Sequence, residues 1–423
     1  MGITSLKNKI NKRIKVQETK NDYSEIGVFI KKRRKDLNLT QDIICNGICS
    51  VSYLSKIENG QIEPNEMFVR EIITKLDIEE DYLKKNLEDK SYLNRVIRNF
   101  FYVENDKMRK MYDEIKDIDD NLTINLCKFG YQVFTYNRLS SDMVTLLENL
   151  VMNMNDKELK TYLFFTSVYF ITHDDYKTSL ELLLLSIETD FKDDYLDALI
   201  EEYLYYVKQR LLKKNCSLHH YEEASRVYSK FLNNVRSMRL LLNRIKFLSD
   251  ENPALSSKLL DQVEVSLLAG FNYEYYCFLK AKVYYLLGNT NESVIYLSNI
   301  KESSLLFVSK TVLLYEICLL ENDEDMLLEL RNILDGLQMS KADLKDKVYY
   351  HFLTQKDDEN RKEYLRDIAI PFSIKTSDYS ALKYYVDHIM EICIESSRYK
   401  EATQYYKKYS KEIKKVEKIL YSL

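Results

Sequence analysis

Residues 275–300 read YYCFLKAKVYYLLGNTNESVIYLSNI, and the spacing within that stretch decides the fold. Ala281 is a small residue in an apolar helical run, and Tyr284 follows three positions on, on the same helical face. Gly288 and Asn289 supply a turn, after which Ser293 and Leu297 mark a second apolar face. Two short helices folded back on each other satisfy this pattern. One such pair cannot bury its own apolar face, so neighbouring pairs must stack against it. Similar units occur at 163–186 (Ser167, Phe170, Tyr176) and 386–409 (Cys393, Tyr399, Ala402, Tyr406), with a looser one around Tyr221, Ala224, Tyr228 and Phe231. Second-helix anchors fall at Ser179, Ala224, about Leu259, Ser293, about Leu328, about Lys362 and Ala402, with most steps close to 35 residues.

That period and the order small, aromatic, turn, small match the tetratricopeptide (TPR) repeat. The expected architecture is a right-handed α-solenoid whose concave face comes from the first helix of each pair. Composition agrees. The chain has 423 residues with 8 Gly and 3 Pro, where average usage would give about 30 and about 21. Sandwiches, barrels and doubly wound sheets need more turn residues than this, so the fold class is all-α. Most of the 35 Tyr fill gaps between helices. In the last helix Tyr399, Ala402, Tyr406, Tyr409, Ile413, Val416 and Leu420 follow a heptad seam, which either caps the solenoid or pairs with a second subunit.

Upstream of the repeats the chain changes character. The formal net charge is −4, yet residues 1–24 carry six Lys/Arg against Glu18 and Asp22, while residues 25–78 balance. A basic front on an acidic body suggests an anionic partner at that end. From Glu25 the sequence runs EIGVFIKKRRKDLNLTQDIICNGICSVSYLSKIENGQIEPNEMFVREIITKLDI. Ile26, Phe29, Ile30 and Leu37 predict a first helix ending near Asn38. Thr40 caps a short second helix, Gln41 to Asn46, and Gly47 turns the chain. Ser50 caps a third helix to about Asn59, and Pro64 leads to a fourth ending near Leu76. Val51, Leu54 and Ile57 read as core. Two short helices joined by a tight Gly turn form the helix-turn-helix that lays its second helix in the DNA major groove.

The segment LTQ followed by GICSVSYLSKIENG resembles the Cro and phage-repressor type of helix-turn-helix. Its wording is similar to the Gram-positive RRNPP family of peptide-pheromone-responsive regulators (PlcR- and NprR-type). Arg33 departs from the apolar residue often found there. The resemblance implies that Gln41 hydrogen-bonds a phosphate and that Ser50, Ser52, Tyr53 and Lys56 reach base edges. It also implies a structural ion pair between Arg34 and Glu58. Lys31 and Lys32, in the run to Lys35, are either phosphate contacts or a solvated face. Ile3, Leu6, Ile10 and Ile14 share one helical face, so residues 1–24 are a short amphipathic helix, a minor-groove arm or a partly disordered tail.

The expected domains are a basic arm (1–24), a DNA-binding helix-turn-helix (25–78), a linker helix region (79–110) and a TPR-like domain (111–423). The family resemblance implies a transcription regulator whose groove takes a short signalling peptide, as in quorum sensing, with a homodimer reading a pseudo-palindromic operator in double-stranded DNA. Candidate groove residues are Asn243, Arg244, Tyr275, Phe278, Lys282 and Tyr285: amides for a peptide backbone, aromatics for side chains, a cation for a carboxylate. The alternatives are an adaptor that sequesters a response-regulator protein and a phage-type repressor without a peptide.

Enzymatic chemistry finds no footing. The eight glycines form no phosphate-binding loop, and His173, His219, His220, His351 and His388 form no H-E-x-x-H and no nucleophile arrangement. His219 and His220 read as solvated loop histidines, and Asp174–Asp175 and Asp357–Asp358 as helix caps. No cofactor or metal is expected. The seven Cys include no C-x-x-C and read as free thiols packed in a reducing compartment. No apolar run approaches 18 residues, so no membrane partner is expected and the cytoplasm is the expected location.

Overall fold

The computed structural model describes Leu6, residues 8–10, 24–59, Ile62, and residues 65–76, 80–118, 121–135, 141–211, 217–337 and 344–421; inside some helices only the backbone is described. Among the described residues there is no strand. Contacts divide the chain into two units: Met1–Phe100 with Asn105–Tyr162, and Phe101–Glu104 with Leu163–Leu423.

The first unit opens with α1 (Ser24–Asp36), α2 (Gln41–Cys45), α3 (Val51–Glu58) and α4 (Glu66–Lys75). They close around Ile30, Ile44, Leu54, Ile57, Val69 and Ile72. The starts of α2, α3 and α4 are each fixed by a side chain accepting a free N–H: Thr40 from Ile43, Ser50 from Tyr53, Asn65 from Met67. Asn38 (φ 53°) takes the left-handed conformation that ends α1. Four further helices follow: α5 (Glu80–Tyr102), α6 (Asn105–Ile115), α7 (Leu122–Thr135) and α8 (Ser141–Leu150). Near the amino terminus Leu6 and Ile10 are buried, and Lys9 Nζ lies 3.6 Å from Glu148. These four described residues are helical, and the apolar pair on one face packs as the amphipathic reading expects; the rest of 1–23 lies outside the described residues.

α9 (Asp156–Thr172) spans the division, and the second unit continues as α10 (Tyr176–Ile187), α11 (Asp194–Arg210), α12 (Leu218–Lys230), α13 (Asn234–Ser249), α14 (Pro253–Leu260), α15 (Phe271–Leu286) and α16 (Thr290–Ser298). It ends with α17 (Phe307–Glu321), α18 (Glu324–Gly336), α19 (Leu344–Leu353), α20 (Asp358–Tyr364), α21 (Ile370–Lys375), α22 (Tyr379–Glu395) and α23 (Tyr399–Tyr421). The helices run as successive antiparallel pairs, as the 275–300 stretch requires. Within that stretch Ala281, Ser293 and Leu297 are sealed from solvent, and Tyr284 stacks on Tyr296 at 5.6 Å.

A repeated turn replaces the missing glycines. Asp174, Leu232, Asn322 and Ser377 all have φ between 51° and 59°, and each is followed by an Asp or Asn whose side chain caps the next helix. Gly288 (φ 81°) makes the corresponding turn with glycine, ahead of Asn289 at the start of α16. Asp175 and Asp357 cap α10 and α20, at the turns where acidic caps were expected. Between α20 and α21 a π-helical turn, Leu365–Ala369, absorbs the hydrogen bond that Pro371 cannot make to Asp367.

Two expectations are corrected here, at Leu328 and His220. Leu328 is 60% exposed, because Leu330 and Leu334 are the buried positions of α18; a period counted by anchor slipped on a helix rich in leucine. His220 is buried, not solvated, with Nε2 2.6 Å from Lys208 Nζ and Nδ1 2.5 Å from Glu201. In the terminal seam Ala402 packs inward, but Tyr399 and Tyr406 are exposed; Ile413, Val416 and Leu420 lie outside the described side chains.

Candidate functional site

Arg34, Gln41 and Glu58 come together in the helix-turn-helix. Arg34 Nε and Nη2 donate to the two carboxylate oxygens of Glu58 at 2.6 and 2.8 Å, a bidentate pair. Arg34 Nη1 donates to the Leu39 carbonyl at 2.8 Å, and Gln41 Nε2 to Glu58 Oε2 at 2.8 Å. Glu58 is 1% exposed. Burial pushes its carboxyl up, but the hydrogen bonds from Arg34 and Gln41 outweigh it and hold Glu58 below its ordinary value. The hydrogen bond to Glu58 likewise holds Arg34 above its own. One carboxylate thus joins the ends of α1 and α3 to the start of α2.

That cluster leaves one side of α3 free. Ser50, Ser52 and Lys56 are exposed along it, while Leu54 and Ile57 are buried. Val51, expected in the core, is 37% exposed: it stands on the first residue of α3, off the face that carries Leu54 and Ile57 inward. Ser50 Oγ accepts the Tyr53 N–H at 3.1 Å. Tyr53 is half-buried, its hydroxyl accepting the Asn65 N–H at 3.0 Å and its ring meeting Phe68 edge-on. Lys31 Nζ donates to Asn59 Oδ1 at 2.8 Å. The Lys32 side chain lies outside the described residues.

Sequence reasoning missed Gly27. A Cβ placed there would sit 1.8 Å from the Ile57 carbonyl oxygen, so α1 and α3 touch backbone to backbone at that point. The available signal was a glycine inside the first turn of the expected helix; within a helix glycine costs about 1 kcal/mol relative to Ala unless packing demands it.

In the second unit the groove candidates occupy two helices but do not form one group. Tyr275, Phe278 and Tyr285 flank the same buried cluster of α13 to α17. Tyr275 lies parallel to Phe271 at 5.9 Å. Lys282 is paired with Asp250 at 2.7 Å, and Arg244 sits 4.7 Å over the Tyr221 ring. Asn243 is half-buried. Burial, and then the charge of Glu316, push the Tyr285 hydroxyl up.

A stronger constellation brings residues together across the repeats. Arg210 at the end of α11 reaches Asp378 Oδ2 at 3.2 Å and donates to the Tyr206 hydroxyl at 3.3 Å. Lys345 on α19 lies 3.2 Å from both Asp378 and Asp174. Lys246 on α13 sits 5.9 Å over the Tyr275 ring, and no carboxylate among the described residues pairs with it. Burial, then the charges of Arg210 and Lys345, bring its ammonium down to about 8. Burial would raise the Tyr206 hydroxyl, yet Arg210 and Lys246 lower it overall. Asp378 is buried, and Arg210 and Lys345 overcome that burial to hold it well below the carboxylate range. Three cations therefore face two carboxylates, and the unmatched charge rests on Lys246. Such a site favours an incoming anion. Arg210 and Asp378 alone are 168 residues apart, so no local motif could announce it.

Among the described residues no group of His, Cys, Asp and Glu could hold a metal ion, and no helix is long and apolar enough to cross a membrane.

Comparison with known proteins fits this arrangement. Residues 30–83 match the helix-turn-helix family model HTH_3. Transcriptional activator NprA of Geobacillus stearothermophilus is 24% identical, with 86% of this chain and 97% of that protein covered. Among solved structures, a Rap protein complexed with Competence and Sporulation Factor has a TM-score of 0.63 at 13% identity, covering 78% of this chain and 99% of that one. NprR in complex with its cognate peptide NprX has a TM-score of 0.62 at 13% identity, covering 76% and 98%. Residues 30–83 thus form a helix-turn-helix of the HTH_3 type, the chain is similar over most of its length to a transcriptional activator, and its body has the helical-repeat fold of the Rap and NprR structures.

Proposed function

We propose that the chain binds a pseudo-palindromic operator as a homodimer and that a short signalling peptide in its solenoid changes that binding. The observation that carries the DNA reading is the exposed row Ser50, Ser52 and Lys56 on α3, presented while the opposite face is locked by Leu54, Ile57 and the Arg34–Glu58 pair. Ser52 and Lys56 are the base-reading candidates; Ser50 also caps the helix, and Tyr53 also spaces α3 from α4. Gln41, oriented by Glu58, and Lys31 would contact phosphates. One such helix buries too little surface for tight binding, which favours a symmetric pair on two half-sites.

For the peptide, the basic cluster of Arg210, Lys246 and Lys345 is the better anchor than the paired Lys282: an incoming carboxylate would give Lys246 the partner it lacks. Tyr275, Phe278, Asn243 and Arg244 would line its approach. A peptide shifts the DNA-binding state only if it binds two conformations with different affinity. Operation on DNA would place the protein in the cytoplasm.

Selection from a randomised duplex pool, then titration calorimetry with short peptides carrying a free or amidated C-terminus, tests both halves. Enrichment of a two-fold repeat and tighter binding of free-acid peptides are expected. Failure to enrich any sequence would defeat the DNA reading, and indifference to the terminal carboxylate would defeat the anchor.

A further inference from the structure

We propose that Cys45 and Cys49 are a dithiol pair that a hydroperoxide converts to a disulfide, and that this oxidation weakens operator binding. Cys45 is the last residue of α2, and Cys49 immediately precedes Ser50, the cap of α3. The Cys49 N–H donates to the Cys45 carbonyl at 3.0 Å and the Ile48 N–H to the same oxygen at 2.8 Å. Gly47, at φ 81°, makes this turn possible. A backbone turn of that hydrogen-bonded span brings the two Cα atoms to roughly 6 Å, inside the range of about 4.4–6.8 Å that a disulfide needs. The sulfurs are already 3.8 Å apart.

The two thiols differ in a way that orders the chemistry. Cys49 is half-buried, whereas Cys45 is 3% exposed among Ile44, Leu54 and Ile57. Burial, and then the neighbouring Cys49, push the Cys45 thiol up to about 12, so it stays protonated. The Cys49 thiolate attacks the terminal oxygen of the hydroperoxide; the O–O bond breaks, an alkoxide takes up the thiol's proton and leaves as an alcohol, and Cys49 becomes a sulfenic acid. The Cys45 sulfur then attacks the Cys49 sulfur. The S–O bond breaks and hydroxide leaves, taking the Cys45 proton as water. Two thiols are oxidised, and one hydroperoxide is reduced to one alcohol and one water, or to two waters when the oxidant is hydrogen peroxide.

The product cannot leave the domain undisturbed. A disulfide bond of about 2.05 Å requires the sulfurs to close most of their present separation. One sulfur is held in the core under α3 and the other in the turn that feeds the Ser50 cap, so closure shifts the start of α3. The consequence for DNA rests on the DNA-binding reading above; the disulfide itself does not.

The full-length protein, treated with hydrogen peroxide, alkylated and cut with trypsin, tests both. The peptide 36–56 contains both cysteines and no other. It should appear two hydrogens lighter and unalkylated, and duplex DNA selected by the reduced protein should bind at least tenfold more weakly until dithiothreitol restores it. Cys49→Ser and Cys45→Val should bind that DNA without responding to peroxide. Sulfinic acid at Cys49 with Cys45 alkylated, or a disulfide without loss of affinity, overturns the switch. If the reduced protein selects no DNA, the operator half is overturned with the DNA-binding reading, and the mass of peptide 36–56 alone decides the disulfide.

Discussion

Arg34 and Glu58, 24 residues apart, meet as a matched pair; Arg210 and Asp378, 168 residues apart, meet in a cluster left one carboxylate short. The first centre is saturated: Glu58 accepts two bonds from Arg34 and one from Gln41, and its burial is fully answered. The second keeps an ammonium in a half-buried place without an anion. A saturated pair is what a rigid presenting platform needs, because every partner fixes an orientation. An unsaturated one stores unfavourable charge that a ligand can relieve. Perturbing the first should destabilise; perturbing the second should stabilise.

The largest effect is expected from steric rather than charge disruption of the first centre. Gly27→Ala would drive a methyl group into the Ile57 carbonyl, so α1 and α3 must separate. A cost above about 3 kcal/mol is expected, enough to abolish DNA binding. Circular dichroism should retain most of its helical signal, since the repeats of the second unit do not depend on that approach. Near-normal DNA affinity in this variant would mean the two helices are not in backbone contact.

Removing one member of the ion pair comes next. Arg34→Met leaves Glu58 charged and buried, a loss of about 3–5 kcal/mol, and Arg34→Met with Glu58→Leu should recover much of it. The pH dependence has a defined sign. Glu58 is held below its ordinary value, so its stabilisation is complete above that value and is lost as pH falls through the lower folded one. Thermal unfolding of the wild type should therefore weaken in acid more steeply than that of the double variant. Equal acid sensitivity would remove Glu58 from the account.

How much of this the sequence revealed follows the same division. The helix-turn-helix was legible down to its caps, because Thr40, Ser50 and Asn38 act on neighbours within a few residues. The solenoid was legible as a period, since Ala281, Gly288 and Ser293 repeat a local grammar. Individual positions failed where the answer lay elsewhere in the chain. Leu328 looked like an anchor among many leucines, and the burial of His220 depends on Glu201 and Lys208 in the preceding helix. Asp378 reads locally as one more helix cap; only folding delivers Arg210 and Lys345 to it.

The cluster's own test is a change of sign. The folded pKa of Lys246, about 8, lies below the ordinary lysine value, so between the two the unfolded chain holds more protons and stability rises with pH. Below about pH 8 the charged ammonium costs the fold its full penalty. Lys246→Met should raise the unfolding free energy at pH 7, by on the order of 1 kcal/mol once partial hydration is allowed for, and with it the melting temperature, and flatten the rise between pH 8 and 10. It should also weaken peptide binding. A variant less stable at pH 7 would mean that Lys246 has a partner and the cluster is saturated like the first.

The smallest effect separates the platform from what it presents. Lys56 is exposed on α3, so Lys56→Ala should leave unfolding within about 0.5 kcal/mol of wild type. On DNA its loss depends on what the ammonium touches. A phosphate contact would lower the slope of log affinity against log salt by about 1 and weaken all sequences alike. A base contact would cost about 1–3 kcal/mol at one operator position and relax the preference there. Lys31→Ala is the control, since Lys31 leans on Asn59 at the far end of α3 and should move the salt slope without changing the sequence selected. If both variants leave slope and selected sequence untouched, the exposed row of α3 is not the surface that meets DNA, and the matched pair beneath it is holding up a face with another use.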